Sequence, residues 1–552
     1  MFIYLCSTVF CFLCIISSSM CHICSTCLCL GEVELHQKLI VDCHEKHLGS
    51  NDMLNSDLLM LDEVTLQKLI LSRNNIVDLP GHLLKRLKHL KSLDLSENVM
   101  SEIHTDIFMN LYNLEDLSLS RNNLTSFDDL LLKVLPTLLT LDLSHNRIST
   151  IEHTIDRTLM KINSLNLAHN SIINISENFF ESLSNLQYLD LSFNKIYSLE
   201  NVNLIHLNSL KILYINNNFL TSIYMQILPK SLTELHAGYN LITEVYYEQS
   251  QMEVLSLEFN QISEIKSNLS KLENLQHLNI TGNKISNFTN VVLQNLRILD
   301  ISYNKLFYIP ETVSVKNFPV LIQLNISQNP IQNLTFPADL KFHSFVASNM
   351  SMLSTIAKDT FAKLVPPSNV CINLTLSNNE KLSSIHEDAL DRLNLCSLDL
   401  SNNQLSYIAQ KLVLRNTSFT MYKVNLQGNP FKCNCSLQWM LDTMVPKLYS
   451  TYPNLLDELR CAWPLQISNM RMVHWYGWKG QVFCTDMSDF NEKLTINVAG
   501  VIPDNQVVKF DSSPGLLAVL GTTICVLSIL VIVGLIWTQR LYMKRRRVNR
   551  KF

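Results

Sequence analysis

The sequence predicts an α/β solenoid, in which one short unit repeats along the chain and its strands lie side by side in a parallel sheet. Two observations predict this fold. An asparagine recurs every 24 residues from Asn74 to Asn218, and leucines alternate with other residues just before each of these asparagines. A fixed repeat of this length is typical of a stacked architecture and not of several separate domains.

The repeated unit is clearest from Leu186 to Ile196, which reads LQYLDLSFNKI. Leu189 and Leu191 follow the two-residue period of a strand, which directs both side chains to one face. Asn194 closes the pattern, and its amide can bond backbone groups inside a tight turn. One unit alone cannot bury its leucines, so neighbouring units and terminal caps must cover them.

Sixteen units fit this pattern, and residues 61–428 are assigned to them. Their closing positions are Asn74, Asn98, Asn122, Asn146, Asn170, Asn194, Asn218, Asn240, Asn260, Asn283, Asn304, Asn329, Ser348, Asn379, Asn403 and Asn429. Ser348 replaces the asparagine in the variant LKFHSFVASNM, and its hydroxyl supplies only part of the amide's hydrogen bonding. The spacing falls to 22 and then 20 residues between Asn218 and Asn260. We therefore expect the curvature or twist of the stack to change there.

Composition supports a folded chain with a protein partner. Apolar residues make up 47% of the 552 residues and charged residues 17%, and only 12 glycines are present, which excludes a disordered chain. The net charge is −4 even though the last 15 residues hold seven Lys or Arg and no acid. The remainder is therefore acidic, which argues against nucleic acid as a partner.

The start of the chain resembles a secretory signal. Residues 1–19 are apolar and then small and polar, with cleavage expected near Ser19 or Met20. An uncleaved anchor is the alternative, because no Lys or Arg precedes the apolar run.

The other end predicts one transmembrane helix. Gly515 to Trp537 contains no charged residue and is long enough to cross a bilayer, although a buried core helix is the alternative. The basic residues that follow mark the cytoplasmic side. We expect a single-pass plasma-membrane protein with an extracellular N-terminus. The basic tail, 538–552, then contacts anionic lipid or, alternatively, a specific adaptor.

The units resemble leucine-rich repeats of the extracellular type, and the cysteines at both ends support this resemblance. Cys27, Cys29 and Cys43, with a preceding Cys24 or Cys21, resemble the N-terminal cysteine cap of that family, here residues 20–60. Residues 429–485, with the motifs NPFKCNCSLQWML and CAWP, resemble its C-terminal cysteine cap. The resemblance implies a curved horseshoe with its strands on the concave face.

Spacing alone leaves three pairings open for the four C-terminal cap cysteines. The resemblance implies bonds from Cys433 to Cys461 and from Cys435 to Cys484. Cys371 and Cys396 lie about one repeat apart. A bridge between them is the alternative to our preferred interpretation, two buried apolar thiols. The ectodomain also resembles that of Toll-like receptors, although the short tail provides no intracellular signalling domain. Residues 486–514 lose the repeat and are assigned to a stalk.

Sequons indicate passage through the secretory pathway. Ten are candidate glycosylation sites: Asn123, Asn174, Asn268, Asn279, Asn287, Asn325, Asn333, Asn349, Asn373 and Asn416. An eleventh, Asn434, lies between two cap cysteines and is doubtful. Asn279, Asn325 and Asn373 fall on strand positions, so their glycans would shield the sheet face from about the tenth repeat onward.

The part of the sheet without sequons is the candidate ligand surface. Its exposed positions carry Tyr188, Phe193, Tyr214, His236, Tyr239 and Phe259. Aromatic rings with polar tips are enriched in interfaces. The alternative is that Phe or Tyr before the asparagine is simply common in this family, which covers Phe193, Tyr239, Phe259 and Tyr303.

No catalytic motif, metal-binding spacing or cofactor motif is present in the sequence. We therefore expect a non-enzymatic surface glycoprotein that binds a protein ligand or a facing cell's protein, as an adhesion molecule or co-receptor. The alternatives are a ligand-binding subunit of an innate-immune or developmental signalling receptor that relies on a partner's cytoplasmic domain, and a structural spacer. A homodimer or heterodimer is left open.

Overall fold

The computed structural model describes residues 26–30, 39–49, 66–79, 84–128, 130–152, 160–365, 370–414, 423–476 and 480–484. All of these lie in the first of the chain's two compact units, Met1–Met487. The predicted signal, stalk, transmembrane helix and basic tail fall outside the described residues. Among the residues that are described, no helix has both the length and the apolar character needed to cross a membrane.

One large sheet organises the described part of the chain. Each of the sixteen repeats contributes one strand, and neighbouring strands run parallel. Leu28–Leu30 and Leu39–Asp42 extend the sheet at its N-terminal end as an antiparallel pair. The repeat strands are Leu66–Ile70, Ser92–Asp94, Asp116–Ser118, Thr140–Asp142, Ser164–Asn166, Tyr188–Asp190, Ile212–Tyr214, Glu234–His236, Val254–Ser256, His277–Asn279, Ile298–Asp300, Gln323–Asn325, Ser344–Val346, Ile372–Thr375, Leu395–Asp399 and Lys423–Asn425. The predicted parallel solenoid is confirmed.

The core lies behind this sheet, as the leucine alternation predicts. Leu189 and Leu191 are fully buried, whereas Tyr188 and Asp190 face solvent. Leu189 pairs with Leu213 of the next strand, so equivalent leucines from successive repeats stack on each other. Each repeat thus covers the apolar side of its neighbour.

Short strands and helical turns form the return path of each repeat. The short strands are Ser126–Asp128, Thr150–Glu152, Asn174–Ile175, Ser222–Tyr224, Glu244–Tyr246, Glu264–Ile265, Asn287–Phe288, Thr355–Ile356, Ser384–Ile385, Phe431–Lys432 and Cys461–Trp463. The α-helices are Leu130–Val134, Gln410–Val413 and Val445–Thr451, and Met440–Met444 is a π-helix. The 3₁₀ helices are Thr105–Phe108, Phe179–Ser182, Leu204–His206, Met225–Ile227, Ser267–Lys271, Cys435–Leu437, Pro453–Leu456, Leu465–Ile467, Met472–Trp475 and Val482–Cys484.

The return-path strands form several separate short sheets, and one break between them falls where the repeats are shortest. Glu244–Tyr246 pairs with Ser222–Tyr224, and Glu264–Ile265 pairs with Asn287–Phe288, in two separate sheets. The break between them coincides with the spacing of 20 residues that ends at Asn260.

A ladder of buried asparagine side chains crosslinks the turns, as the sequence predicts. Asn194 Nδ2 donates to the carbonyl oxygens of Leu167, Leu191 and Ser192 at 3.0–3.2 Å. Its Oδ1 accepts from the backbone N–H of Ile172 at 2.9 Å. One side chain therefore satisfies backbone groups in two repeats, which a buried turn requires.

The assignment of Ser348 to this ladder is wrong by two residues. Leu324 pairs with Phe345 in the sheet, which places Met350 level with Asn329. Met350 is fully buried and follows a left-handed residue, Asn349, as the ladder asparagines follow theirs. The same register makes Phe342, and not Leu340, the first apolar residue of this unit. A methionine therefore interrupts the ladder.

Disulfide bonds at both ends support cysteine caps. Cys27 is bonded to Cys43, and Cys29 is also disulfide-bonded. Cys433 is bonded to Cys461 and Cys435 to Cys484, which are the pairs that the family resemblance implies.

The expectation of two buried thiols at Cys371 and Cys396 is wrong. They form a disulfide with a Cα–Cα distance of 5.0 Å, and both are only partly buried. The pairing register shifts after Ile372, so that Asn373 lies opposite Ser397. Cys396 is the extra residue at this irregularity, which brings it within bonding reach of Cys371.

Candidate functional site

Three of the predicted ligand-binding side chains form one continuous group on the solvent face of the large sheet. Tyr188, Tyr214 and His236 come from three adjacent strands. The ring centroids of Tyr188 and Tyr214 lie 5.7 Å apart, and the His236 ring stacks on Tyr214 at 4.4 Å. All three are partly buried.

Burial, reinforced by acidic neighbours, keeps the two tyrosine hydroxyls of this group protonated. Burial, and then the charge of Asp190, raises the pKa of Tyr188 to about 12. Burial, and then the charge of Glu234, raises the pKa of Tyr214. His236 Nε2 lies 3.7 Å from Glu234 Oε2, and no hydrogen bond satisfies this nitrogen. Both phenols therefore remain protonated at neutral pH; the Tyr188 hydroxyl donates to Asp190 Oδ2 at 3.4 Å, and the Tyr214 hydroxyl can donate a hydrogen bond to a partner.

The other three predicted residues lie at the turn after each strand, not on the strands themselves. Phe193, Tyr239 and Phe259 each precede a ladder asparagine and have a left-handed backbone, with φ of 54°, 54° and 50°. All three are exposed. Tyr239 stacks on Phe259 with ring centroids 4.7 Å apart. Asn217 separates Phe193 from this pair, so the structure does not bring all six residues together.

The stack around Phe193 extends in the opposite direction, through residues that the sequence analysis missed. His169 stacks on Phe193 at 4.0 Å, and His145 stacks on His169 at 4.1 Å. Burial, followed by the neighbouring charges of His169 and Arg121, lowers the pKa of His145. The 24-residue period could have identified both histidines, because each also precedes a ladder asparagine.

The residues that precede successive ladder asparagines form a column along the turns, which we call the turn column. Beyond Phe259 this column continues past a glycine. Gly282 has a φ of +68°, and a Cβ there would lie 2.5 Å from Phe259 Cδ1. The glycine leaves room for the Phe259 ring, whose centroid is 5.9 Å from that of Tyr303. Aromatic residues thus line this turn column from Tyr239 to Tyr303.

The described sequons lie at several kinds of position. Asn279 and Asn325 are partly exposed on the sheet face, and their amides already bond Ser256 and Asp300. Asn123 and Asn268 are partly exposed, and exposed positions hold Asn174, Asn287, Asn333, Asn349, Asn373 and Asn434. Asn416 lies outside the described residues. Glycosylation of these sites stays a prediction.

A small cavity lies at the break in the return-path strands. It has a volume of about 110 Å³ and is lined by Tyr246, Tyr247 and Asn268, among others. Lys266 Nζ, which donates to Glu244 Oε1 at 2.9 Å, closes one side. Within the described residues, no cluster of three or more His, Cys, Asp or Glu side chains is placed to hold a metal ion.

Models of known families match the repeats directly. A model described as "Leucine rich repeat" matches residues 64–124, 113–158 and 160–220, and one described as "Leucine Rich repeats (2 copies)" matches residues 250–291. The solenoid is built of leucine-rich repeats. A leucine-rich-repeat protein of Leptospira interrogans has the same fold, with 25% identity and a TM-score of 0.52 over 72% of this chain and 94% of that one.

Curated relatives include a Toll-like receptor and the CD180 antigen. The mouse CD180 antigen is 29% identical over 41% of this chain and 32% of its own length. Bovine Toll-like receptor 4 is 26% identical over 45% of this chain and 30% of its own length. An adenylate cyclase of Schizosaccharomyces pombe is 28% identical over 46% of this chain but only 16% of its own length. This chain therefore spans a third or less of each of these relatives.

Proposed function

We propose that this chain is a cell-surface glycoprotein that recognises another protein, as an adhesion molecule or a co-receptor, and that it has no enzymatic activity. The observation that carries the proposal is an aromatic surface made of two groups, Tyr188 with Tyr214 and His236 on the strands and Tyr239 with Phe259 at the turns. It combines partly buried phenols, held as hydrogen-bond donors, with exposed rings at the adjacent turn. Protein interfaces are enriched in such residues, because a ring adds apolar contact area and a hydroxyl adds a directional bond.

The secretory signal, the sequons and the charge-free segment from Gly515 to Trp537 support a position at the plasma membrane. In that arrangement the repeats lie outside the cell, where disulfide bonds persist. The cap disulfides and the bond from Cys371 to Cys396 fit this oxidising environment.

A second candidate is a ligand-binding subunit of a signalling receptor that depends on a partner's cytoplasmic domain. The similarity to the CD180 antigen and to Toll-like receptor 4 favours it, because the second of these is named a receptor. A structural spacer is the third candidate, and it requires no ligand surface at all.

The test begins with an unbiased binding screen of the ectodomain, residues 20–510, against cell-surface and secreted proteins. Joint replacement of Tyr188, Tyr214 and Tyr239 by alanine should weaken binding of any partner found by at least about thirtyfold. Replacement of the exposed Tyr112 and Tyr407, which lie outside this surface, is the matched control. Undiminished binding by the triple variant would place recognition elsewhere.

Two further assays separate the candidates. Aggregation of otherwise non-adhesive cells that express the chain supports adhesion. Co-purification of a second receptor only in the presence of the partner supports the subunit. A spacer predicts neither result, and it predicts that the screen finds no partner.

A further inference from the structure

A second column of side chains lies beside the aromatic turn column. Each ladder asparagine is buried, so the residues just before and just after it both face solvent. In the eight repeats from Asn146 to Asn304, the residues just after it are Arg147, Ser171, Lys195, Phe219, Leu241, Gln261, Lys284 and Lys305. We call this set the edge column.

Backbone bonds place the members of the edge column next to each other. The N–H of Phe219 donates to the carbonyl oxygen of Ile196, and that of Leu241 donates to Leu220, both at 2.9 Å. The same bond, from each member to the preceding repeat, recurs at 2.8–2.9 Å from Arg147 to Lys305. Residues up to 24 positions apart in the chain are therefore neighbours on the surface.

The centre of the edge column is apolar and open to solvent. Phe219 is 51% exposed and Leu241 is 42% exposed. Beside them in the turn column lie Phe193, Tyr239 and Phe259, which are also exposed. Phe219, Tyr239, Leu241 and Phe259, from three consecutive repeats, thus form one exposed apolar patch, and Phe193 lies in the repeat before it. A contiguous apolar patch on a folded protein usually marks an interaction site.

The two ends of the edge column are basic. Arg147 and Lys195 precede the apolar centre, and Lys284 and Lys305 follow it. All four are exposed, and the column contains no acidic residue from Arg147 to Lys305. The sheet face differs in charge, since Asp190 and Glu234 lie beside its aromatic group. The edge column therefore favours an acidic partner, whereas the sheet face favours a basic one.

We propose that the edge column binds a protein segment whose apolar side chains are flanked by carboxylates. The apolar side chains would cover Phe219 and Leu241, and the carboxylates would pair with Lys195 on one side and Lys284 on the other. This inference rests on the proposed role in protein recognition and specifies the chemistry of the partner. It also moves the centre of binding from the strands to the adjacent turns.

The test uses the full-length chain in detergent-lipid micelles as bait for a random-peptide phage library. We expect enriched peptides in which aromatic or aliphatic residues lie next to Asp or Glu. A synthetic enriched peptide should bind the double variant Phe219→Ser, Leu241→Ser at least about tenfold more weakly. Lys195→Glu should weaken it about threefold or more, and added salt should reduce that difference.

The matched control is Met109→Ser with Tyr112→Ser, a similarly exposed apolar pair outside the edge column. Unchanged circular dichroism and melting temperature show that each variant is folded. The proposal would be overturned if the library yielded basic peptides or no enriched peptides. It would also be overturned if the Phe219, Leu241 variant and the control bound the peptide equally well.

The outcomes also separate this inference from the proposed function. One outcome is that a protein partner still binds the Phe219, Leu241 variant but no longer binds the Tyr188, Tyr214, Tyr239 variant. This result would support protein recognition and would show that the edge column is not the binding site. Peptide binding at the edge column, together with a protein partner that the Tyr188, Tyr214, Tyr239 variant still binds, would support the edge column and exclude the sheet-face tyrosines as the recognition site.

Discussion

Met350 takes the place of Asn329 in the next repeat, because the strand pairing aligns Asn325 with Val346 and continues in register. Asn329 Nδ2 donates to three carbonyl oxygens, whereas the thioether of Met350 donates to none. The repeat that contains Met350 also has a shorter return path from Asn329 than the regular repeats. The ladder therefore tolerates one interruption where apolar packing fills the position.

Loss of a ladder asparagine within the regular repeats should destabilise the fold. Asn194→Met removes three donated bonds and leaves the N–H of Ile172 without its acceptor. We expect the free energy of unfolding to fall by about 2–4 kcal/mol, since buried backbone groups lose their partners. Chemical denaturation followed by circular dichroism measures this change. Lys195→Met, on the adjacent exposed residue, is the control and should change stability by less than about 0.5 kcal/mol. Equal effects of the two substitutions would show that the ladder does not stabilise the fold.

The bond between Cys371 and Cys396 should stabilise the repeats on either side of it. It closes a loop with a sequence separation of 25 residues, for which chain entropy predicts about 3 kcal/mol. Joint replacement of both cysteines by serine should lower the melting temperature measurably. Peptide mapping without reduction provides the control, because it detects the bond itself. Alkylation of either cysteine in the unreduced native protein would contradict the assignment.

The stacking of His145 on His169 predicts that the lowered pKa of His145 depends on the His169 ring. Burial and the charge of His169 lower the pKa of His145, so the folded state favours its neutral form. Neutral His145 therefore gives its full stabilisation at pH values above the ordinary histidine pKa. This stabilisation is lost as the pH falls through the lowered pKa of the folded state. His169→Ala should raise the pKa of His145, measured by NMR titration of labelled histidine. His206→Ala, in another repeat position, should leave it unchanged. A His145 pKa that does not respond to His169→Ala would contradict this coupling.

Gly282 should resist substitution for two separate reasons. Its φ of +68° suits glycine, and an added methyl would meet the Phe259 ring at 2.5 Å. Gly282→Ala should lower the free energy of unfolding by about 1 kcal/mol or more and displace the Phe259 ring. Denaturant titration measures the first effect, and a crystal structure of the variant measures the second. Gly480→Ala is the control, because nothing lies within 4 Å of its added Cβ. A neutral Gly282→Ala variant would show that the turn column is more adaptable than this contact suggests.

The sequence by itself determined the repeat, the buried leucines and the role of the closing asparagine. Leu189, Leu191 and Asn194 are local choices, set by the period of a strand and by the bonding needs of a tight turn. The cap cysteines were also recognisable, because their spacing and neighbours resemble those of a known family.

Only the tertiary structure decided which residues are neighbours across repeats. The register between strands placed Met350 at a ladder position and brought Cys371 close to Cys396. It also separated Tyr188 from Tyr239 and placed Phe219 beside Leu241. These relationships depend on how one turn of the solenoid lies on the next. A period in the sequence does not specify that alignment where the spacing departs from 24 residues.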